Sequence, residues 1–182
     1  MLGVVLAGGE SRRMGRDKAL LDWGGEPLWK RQVAVLRAAG ASRVVVGRRA
    51  GQAPIAYPDC CLDVFSDSGP LAGLHAALSI GGHPLVAVLA VDMVGIDAAW
   101  FEWLAALCRP GVGAAARHAR SLEPLAAIYP SEALPEAAAR LSRGELSVRG
   151  LVLGLEAAGM MSVVEVPEAY AARVESVNAP PA

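Results

Sequence analysis

Gly3-Val4-Val5-Leu6-Ala7-Gly8-Gly9-Glu10-Ser11-Arg12-Arg13-Met14-Gly15-Arg16-Asp17-Lys18 is the stretch on which the fold turns. The run Gly3 to Ala7 is short, apolar and β-branched, which predicts a buried strand. Two glycines end it abruptly, and a turn of this kind lets backbone N–H groups face an anion with no Cβ in the way. Arg12, Arg13, Arg16 and Lys18 then bring positive charge into the same loop. Amide donors, guanidinium forks and one ammonium together make a phosphate cradle. The cradle differs from a P-loop, because Lys18 is followed by Ala19 rather than Ser or Thr, and no G-x-G-x-x-G occurs here. The lysine is itself informative. Lys and Arg together number 17, yet Lys18 and Lys30 are the only lysines. A chain that writes its positive charge as Arg, and places Lys at the end of a glycine loop, is using the compact ammonium as a point charge among phosphate oxygens.

Working outward, apolar runs alternate with helical patterns, which predicts an α/β fold with a mostly parallel sheet. At 182 residues a single domain spanning 1–182 is expected. Glu26-Pro27-Leu28 is expected to open a helix reaching about Ala39, with Gly40 as its stop. Arg43–Gly47 reads as the second strand and Leu62–Val64 as a short one. Asp67-Ser68-Gly69-Pro70 turns the chain into a helix of small residues ending near Ile80.

Pro84 to Val91 is the longest apolar run and is expected to be the central strand. It ends in Asp92. A carboxylate at the carboxyl end of a buried parallel strand sits where open α/β sheets bind ligands. Mg²⁺ favours carboxylate and phosphate oxygens, so Asp92 is the expected metal ligand. Asp97 is expected to cap a helix over Ala98–Cys108, whose Trp100, Phe101 and Trp103 read as core rather than as a base-stacking platform. Gly113–Ala116 and Leu125–Tyr129 read as strands flanking a polar, loop-like Arg117-His118-Ala119-Arg120-Ser121. Helices are expected over Ser131–Leu141 and Ser147–Ala158, with Gly159 as a stop, and a last strand over Met161–Val166.

Composition excludes several classes. A net charge of −1 gives no support to nucleic-acid binding, and no run of apolar residues is long enough for a membrane span. Cys60, Cys61 and Cys108 form no C-x-x-C, so neither a disulfide framework nor a zinc site is expected. The chain enters a strand almost at once, with no basic leader or small-residue cleavage site, which predicts a cytoplasmic protein.

Leu-Ala-Gly-Gly-x-Ser-Arg-Arg-Met-Gly-x-Asp-Lys resembles the signature of nucleotidyltransferases that activate sugars and cofactors with a nucleoside triphosphate. The Leu-Ala-Gly-Gly form resembles most the molybdenum cofactor guanylyltransferase family. Relatives that use CTP usually carry Leu-Ala-Ala-Gly, so Gly9 tilts the choice to guanine. Gly69-Pro70-Leu71-Ala72-Gly73-Leu74 resembles the same family. The resemblance implies a three-layer, Rossmann-like nucleotidyltransferase fold. It implies Mg²⁺-dependent transfer of GMP from GTP to the terminal phosphate of molybdopterin, with release of pyrophosphate. Nucleotide contacts are then expected from Leu6, Ala7, Gly8, Gly9, Lys18, Asp63 and Asp92, with the amides of Ala7 to Gly9 on the triphosphate. Asp63 matches the family's carboxylate before the Gly-Pro loop at a spacing one residue short. Arg13, Lys18 and Asp92 are the expected catalytic residues. Arg117, Arg149 and Asn178 are the candidate acceptor or tail contacts.

The chain departs from the family in two places. Val91-Asp92-Met93-Val94 replaces Cys-Asp-x-Pro, and the tail has Ser176, Asn178 and Ala179 in place of Asn-x-Asn-Thr. Three alternatives therefore stand beside the main expectation. One is the same chemistry with CTP, or with a sugar or alditol phosphate as acceptor. Another is a nucleotide-binding homologue that has lost catalysis. The last is a module that docks with molybdoenzyme chaperones during cofactor insertion.

Overall fold

The computed structural model describes residues 1–8, 17–48, 52, 55–62 and 69–174. The first strand, β1 (Leu2–Leu6), is buried along its whole length. A single 3₁₀ turn at Lys18–Leu20 follows, then a small hairpin of β2 (Asp22–Trp23) and β3 (Glu26–Pro27), and helix α1 (Leu28–Ala38). Next come β4 (Arg43–Arg48), β5 (Cys60–Leu62), α2 (Gly69–Leu78) and β6 (Leu85–Ala90). Helix α3 (Ala98–Ala105) leads to β7 (Gly113–His118), β8 (Ser121–Leu122) and β9 (Ala126–Pro130). Helices α4 (Leu134–Ser142) and α5 (Val148–Ala157), strand β10 (Met161–Glu165) and a short α6 (Glu168–Ala171) complete the described chain.

The main sheet runs β5-β4-β1-β6-β9-β7-β10, with β8 appended to β7. Parallel pairing joins β5 to β4, β4 to β1 and β1 to β6, while β9 runs against both β6 and β7. Strand β6 is therefore the middle member of the seven, as its unbroken apolar run implies for a strand buried on both faces.

Alternate residues of β1 face two separate cores. Val5 joins Trp29, Val33, Leu36, Trp100 and Phe101 under α1 and α3. Leu2, Val4 and Leu6 join Leu71, Leu74, Leu141 and Leu151 under α2, α4 and α5. This period-two division gives a helix layer on each side of the sheet. Trp100 is fully buried, and its indole N–H donates to the Ala126 carbonyl at 2.9 Å, so the aromatic run on α3 belongs to the core. The expected stops Gly40 and Gly159 have φ of +85° and +72°, which glycine adopts without the Cβ penalty of other residues. No helix among the described residues is long and apolar enough to cross a membrane.

The short strand expected at Leu62–Val64 lies earlier, at Cys60–Leu62, with residues 63 and 64 outside the described residues, and two further segments differ from the sequence reading. Pro27 does not begin α1. It is extended, with φ −67° and ψ 143°, and pairs with Asp22 across a turn made by Gly24 and Gly25 at φ +70° and +91°. Two glycines with positive φ are what a two-residue hairpin requires, and that outranks proline's preference for a helix start. Similarly, Arg117–Ser121 is not a loop. Arg117 and His118 continue β7 and pair with Leu122 and Ser121, closed by Ala119 and Arg120 at φ +46° and +75°. Nothing in the residue types announced this turn, because non-glycine residues rarely adopt positive φ.

Candidate active site

The site forms where two neighbouring parallel strands end together. Leu6 at the end of β1 lies beside Ala90 at the end of β6, so the chain leaves the sheet side by side as Ala7-Gly8 and Val91-Asp92. The Val91 N–H donates to the Leu6 carbonyl at 3.1 Å and ties the two exits together. On the other side of β1, the Ala7 N–H donates to the Gly47 carbonyl of β4 at 2.9 Å. That contact corrects one expectation: the Ala7 amide is committed inside the sheet, so the row of amides that can face an anion starts at Gly8. The Gln52 amide donates to the Ala7 carbonyl at 3.1 Å. In a trans peptide the next N–H points the opposite way, so this bond turns the Gly8 N–H away from Gln52.

Lys18 and Asp92 meet across this edge. The Lys18 ammonium donates to the Asp92 carboxylate at 2.9 Å, although 74 residues separate them. Their side chains are 31% and 40% exposed, so the pair is within reach of a ligand.

Lys18 stands at the start of its 3₁₀ turn, and Asp17 holds that turn. One oxygen of Asp17 accepts from the Ala19 N–H at 3.0 Å, and the other accepts from the Arg48 guanidinium at 2.8 Å. Arg48 closes β4 and is only 5% exposed. Removing one member of a buried ion pair leaves the other charge without its partner, at a cost of about 3 kcal/mol or more. Arg48→Met is therefore expected to lower the melting temperature by roughly 6–12 °C. Adding Asp17→Asn should restore part of that loss. Calorimetry of the two single variants and the double variant checks this.

Asp92 is held from the other side. Gln32, fully buried on α1, donates from its side-chain nitrogen to the carbonyls of Val91 and Met93 at 3.2 and 3.1 Å. Asp97 caps α3 as expected, accepting from the Trp100 N–H at 3.1 Å, and its second oxygen accepts from Arg173 at 2.9 Å.

A family model described as the MobA-like NTP transferase domain matches residues 3–157. The probable molybdenum cofactor guanylyltransferase of Opitutus terrae is 52% identical over 185 residues, covering 99% of this chain and 91% of that protein. The chain belongs to the molybdenum cofactor guanylyltransferase family of MobA-like NTP transferases. The molybdenum cofactor guanylyltransferase of Pseudomonas putida is 37% identical over 164 residues, with 85% of this chain and 86% of that one covered. The solved structure of molybdopterin-guanine dinucleotide biosynthesis protein A from Archaeoglobus fulgidus superposes with a TM-score of 0.74 at 24% identity. It covers 99% of this chain and 93% of that one, and it shows the fold.

In this MobA-like transferase the expected site residues fall into three groups. Leu6, Ala7, Gly8, Lys18 and Asp92 converge at the ends of β1 and β6. Arg117 lies on β7, two strands from β6, roughly 10 Å along the same edge of the sheet. Arg149 is exposed on the first turn of α5, which Ser147 caps by accepting from the Gly150 N–H. Gly9, Arg13, Asp63 and Asn178 lie outside the described residues. Beside Arg117, burial pushes the Glu123 carboxyl above its usual range, and the nearby His118 pulls it partly back.

Asp17, Gln32 and Arg48 are the supporting residues that sequence reading missed. A signal for Gln32 was present. It occupies the buried stripe of α1 formed by Leu28, Trp29, Val33 and Leu36, and a polar residue on such a stripe asks for a partner.

Proposed function

We propose that the chain is one nucleotidyltransferase domain that transfers GMP from GTP to the terminal phosphate of molybdopterin. The names of its full-length relatives support guanylyl transfer. The observation that carries the site assignment is the Lys18–Asp92 contact at the joint exit of β1 and β6.

In this reading the Gly8 and Gly9 amides, Arg13 and the Lys18 ammonium hold the triphosphate. Asp63 would contact the nucleotide. An anionic phosphate oxygen of the acceptor attacks the α-phosphorus of GTP in line. One P–O bond forms there, the bond from the α-phosphorus to the bridging oxygen breaks, and that oxygen leaves with the electron pair on pyrophosphate. The nucleophile is already an anion, so no general base is needed, and the protein has mainly to position and neutralise. Arg117 and Arg149 are candidates for the acceptor's phosphate, and Asn178 for a tail contact.

The donor chemistry at Asp92 fits Mg²⁺. A partly exposed carboxylate at a strand end offers the hard oxygen that Mg²⁺ takes alongside phosphate oxygens and water. Among the described residues no three His, Cys, Asp or Glu side chains cluster, and an ion shared with a substrate triphosphate needs no such cage. Asp92 would hold the ion, which supplies positive charge against the phosphates when bound. The same reading carries a cytoplasmic location and a handover of product to molybdoenzyme chaperones, which a pull-down can test.

Product identity tests the function. Purified protein, Mg²⁺ and molybdopterin are expected to yield the guanine dinucleotide with GTP, detected by mass spectrometry. The rate with CTP should be lower by at least tenfold, the size of one lost specific contact. Equal or faster turnover with CTP would reject the guanine assignment.

A further inference from the structure

We propose that Gln32 is a positioning residue for the transfer reaction, acting through Asp92. The inference rests on the function proposed above, since it takes Asp92 as the carboxylate at the reaction centre.

Gln32 is 0% exposed, on the face of α1 that packs against the sheet. A carboxamide nitrogen carries two N–H donors, and here both have a target: the carbonyl of Val91 and the carbonyl of Met93. These flank Asp92 on either side. The amide's orientation follows from its partners, because a flipped side chain would set its oxygen against two carbonyl oxygens. The Gln32 oxygen accepts instead from the Arg31 guanidinium at 3.2 Å.

The effect is local and directional. The carbonyls of the residues before and after Asp92 are held toward α1, while the Asp92 carboxylate meets Lys18. The rest of the loop is also restrained. The Met93 N–H donates to Ala90 and the Ile96 N–H to Met93, each at 3.2 Å. A Cβ placed on Gly95 would sit 2.4 Å from the Arg173 carbonyl oxygen, so the chain passes there with no room for a side chain. Restraint of this kind is what a proline at position 94 would otherwise give by fixing φ, and this chain has Val94 there. Gln32 fixes the loop from the helix side instead.

A residue that merely fills the core would lower stability and leave the chemistry per folded molecule unchanged. A positioning residue should lower kcat, and its effect should vanish once the group it positions is gone. Gln32→Met keeps the volume and removes both donors. It is expected to reduce kcat by about tenfold to a hundredfold, the scale of a misplacement near 1 Å. In an Asp92→Asn background the same substitution should change kcat by less than about threefold, because residues acting as a unit are not additive. Thermal unfolding of each variant confirms that folded protein is being compared. If Gln32→Met does not fold, Gln32→Glu keeps the shape with at most one donor and is read in the same way.

Equilibrium binding of GTP with and without Mg²⁺ gives a readout free of turnover. Gln32→Met should lose at least tenfold of the Mg²⁺-dependent gain in affinity that the unaltered protein shows. Unchanged kcat and unchanged Mg²⁺-dependent binding in a folded Gln32→Met variant would overturn the inference. So would equal losses in the presence and absence of the Asp92 carboxylate. Unaltered protein that binds GTP with Mg²⁺ but makes no dinucleotide would instead reject the function, and the binding comparison would still judge Gln32. A failure of the unaltered protein to bind GTP at all would reject both.

Discussion

Asp92→Asn is expected to lower kcat for guanylyl transfer roughly a thousandfold. The carboxylate stands at the end of the central strand, 2.9 Å from the Lys18 ammonium and at the edge where β1 and β6 both leave the sheet. Asparagine keeps the shape and removes the charge that would hold Mg²⁺ against the phosphates. Losing several kcal/mol of charge stabilisation corresponds to about three powers of ten in rate. The side chain is partly exposed and reaches out from the loop, so stability should change little. Steady-state kinetics beside a melting curve separate the two effects. Loss of activity with an unchanged melting temperature is the expected outcome, and full activity in the variant would remove Asp92 from the site.

Lys18→Ala is the second large effect, expected at two or more orders of magnitude in kcat. That is the loss typical of one preorganised charge donor facing the transition state. The ammonium is aimed by a short chain of contacts: Arg48 holds Asp17, Asp17 caps the turn at Ala19, and Lys18 begins that turn. Lys18→Arg should recover little. A planar fork at the end of a longer arm does not place its charge where a compact ammonium sits as a point charge among phosphate oxygens. Single-turnover measurements with GTP, comparing the rate of pyrophosphate release in the two variants, check this. Turnover within threefold of the unaltered protein in Lys18→Ala would contradict the role.

The central frame of the molecule was legible in the sequence because it rests on strong, local signals. Val4 to Leu6 and Val86 to Ala90 are continuous apolar runs, and strands buried on both faces read that way. Each run is followed within two residues by its candidate group, Gly8 or Asp92, and open α/β sheets gather such groups at one edge. The meeting of Lys18 with Asp92 follows from adjacent strands. The hairpin at Ala119-Arg120 was hidden because its residue types argue against its backbone angles. The supports were hidden for another reason. Gln32 and Arg48 act through tertiary partners 59 and 31 residues away, and one sequence carries no mark of such pairs beyond a polar residue in a buried place. The loss of the Ala7 amide from the expected row came from register. How far β4 pairs along β1 sets which N–H remains outside the sheet, and that length is a property of the folded sheet.

The most direct test is a crystal structure of the protein with Mg²⁺ and a non-hydrolysable GTP analogue. The triphosphate is expected along the Gly8 side of the β1 exit, with the ion bound to Asp92 and the Lys18 ammonium on a phosphate oxygen. A nucleotide seated elsewhere, or an ion at the triphosphate that does not touch Asp92, would contradict the account.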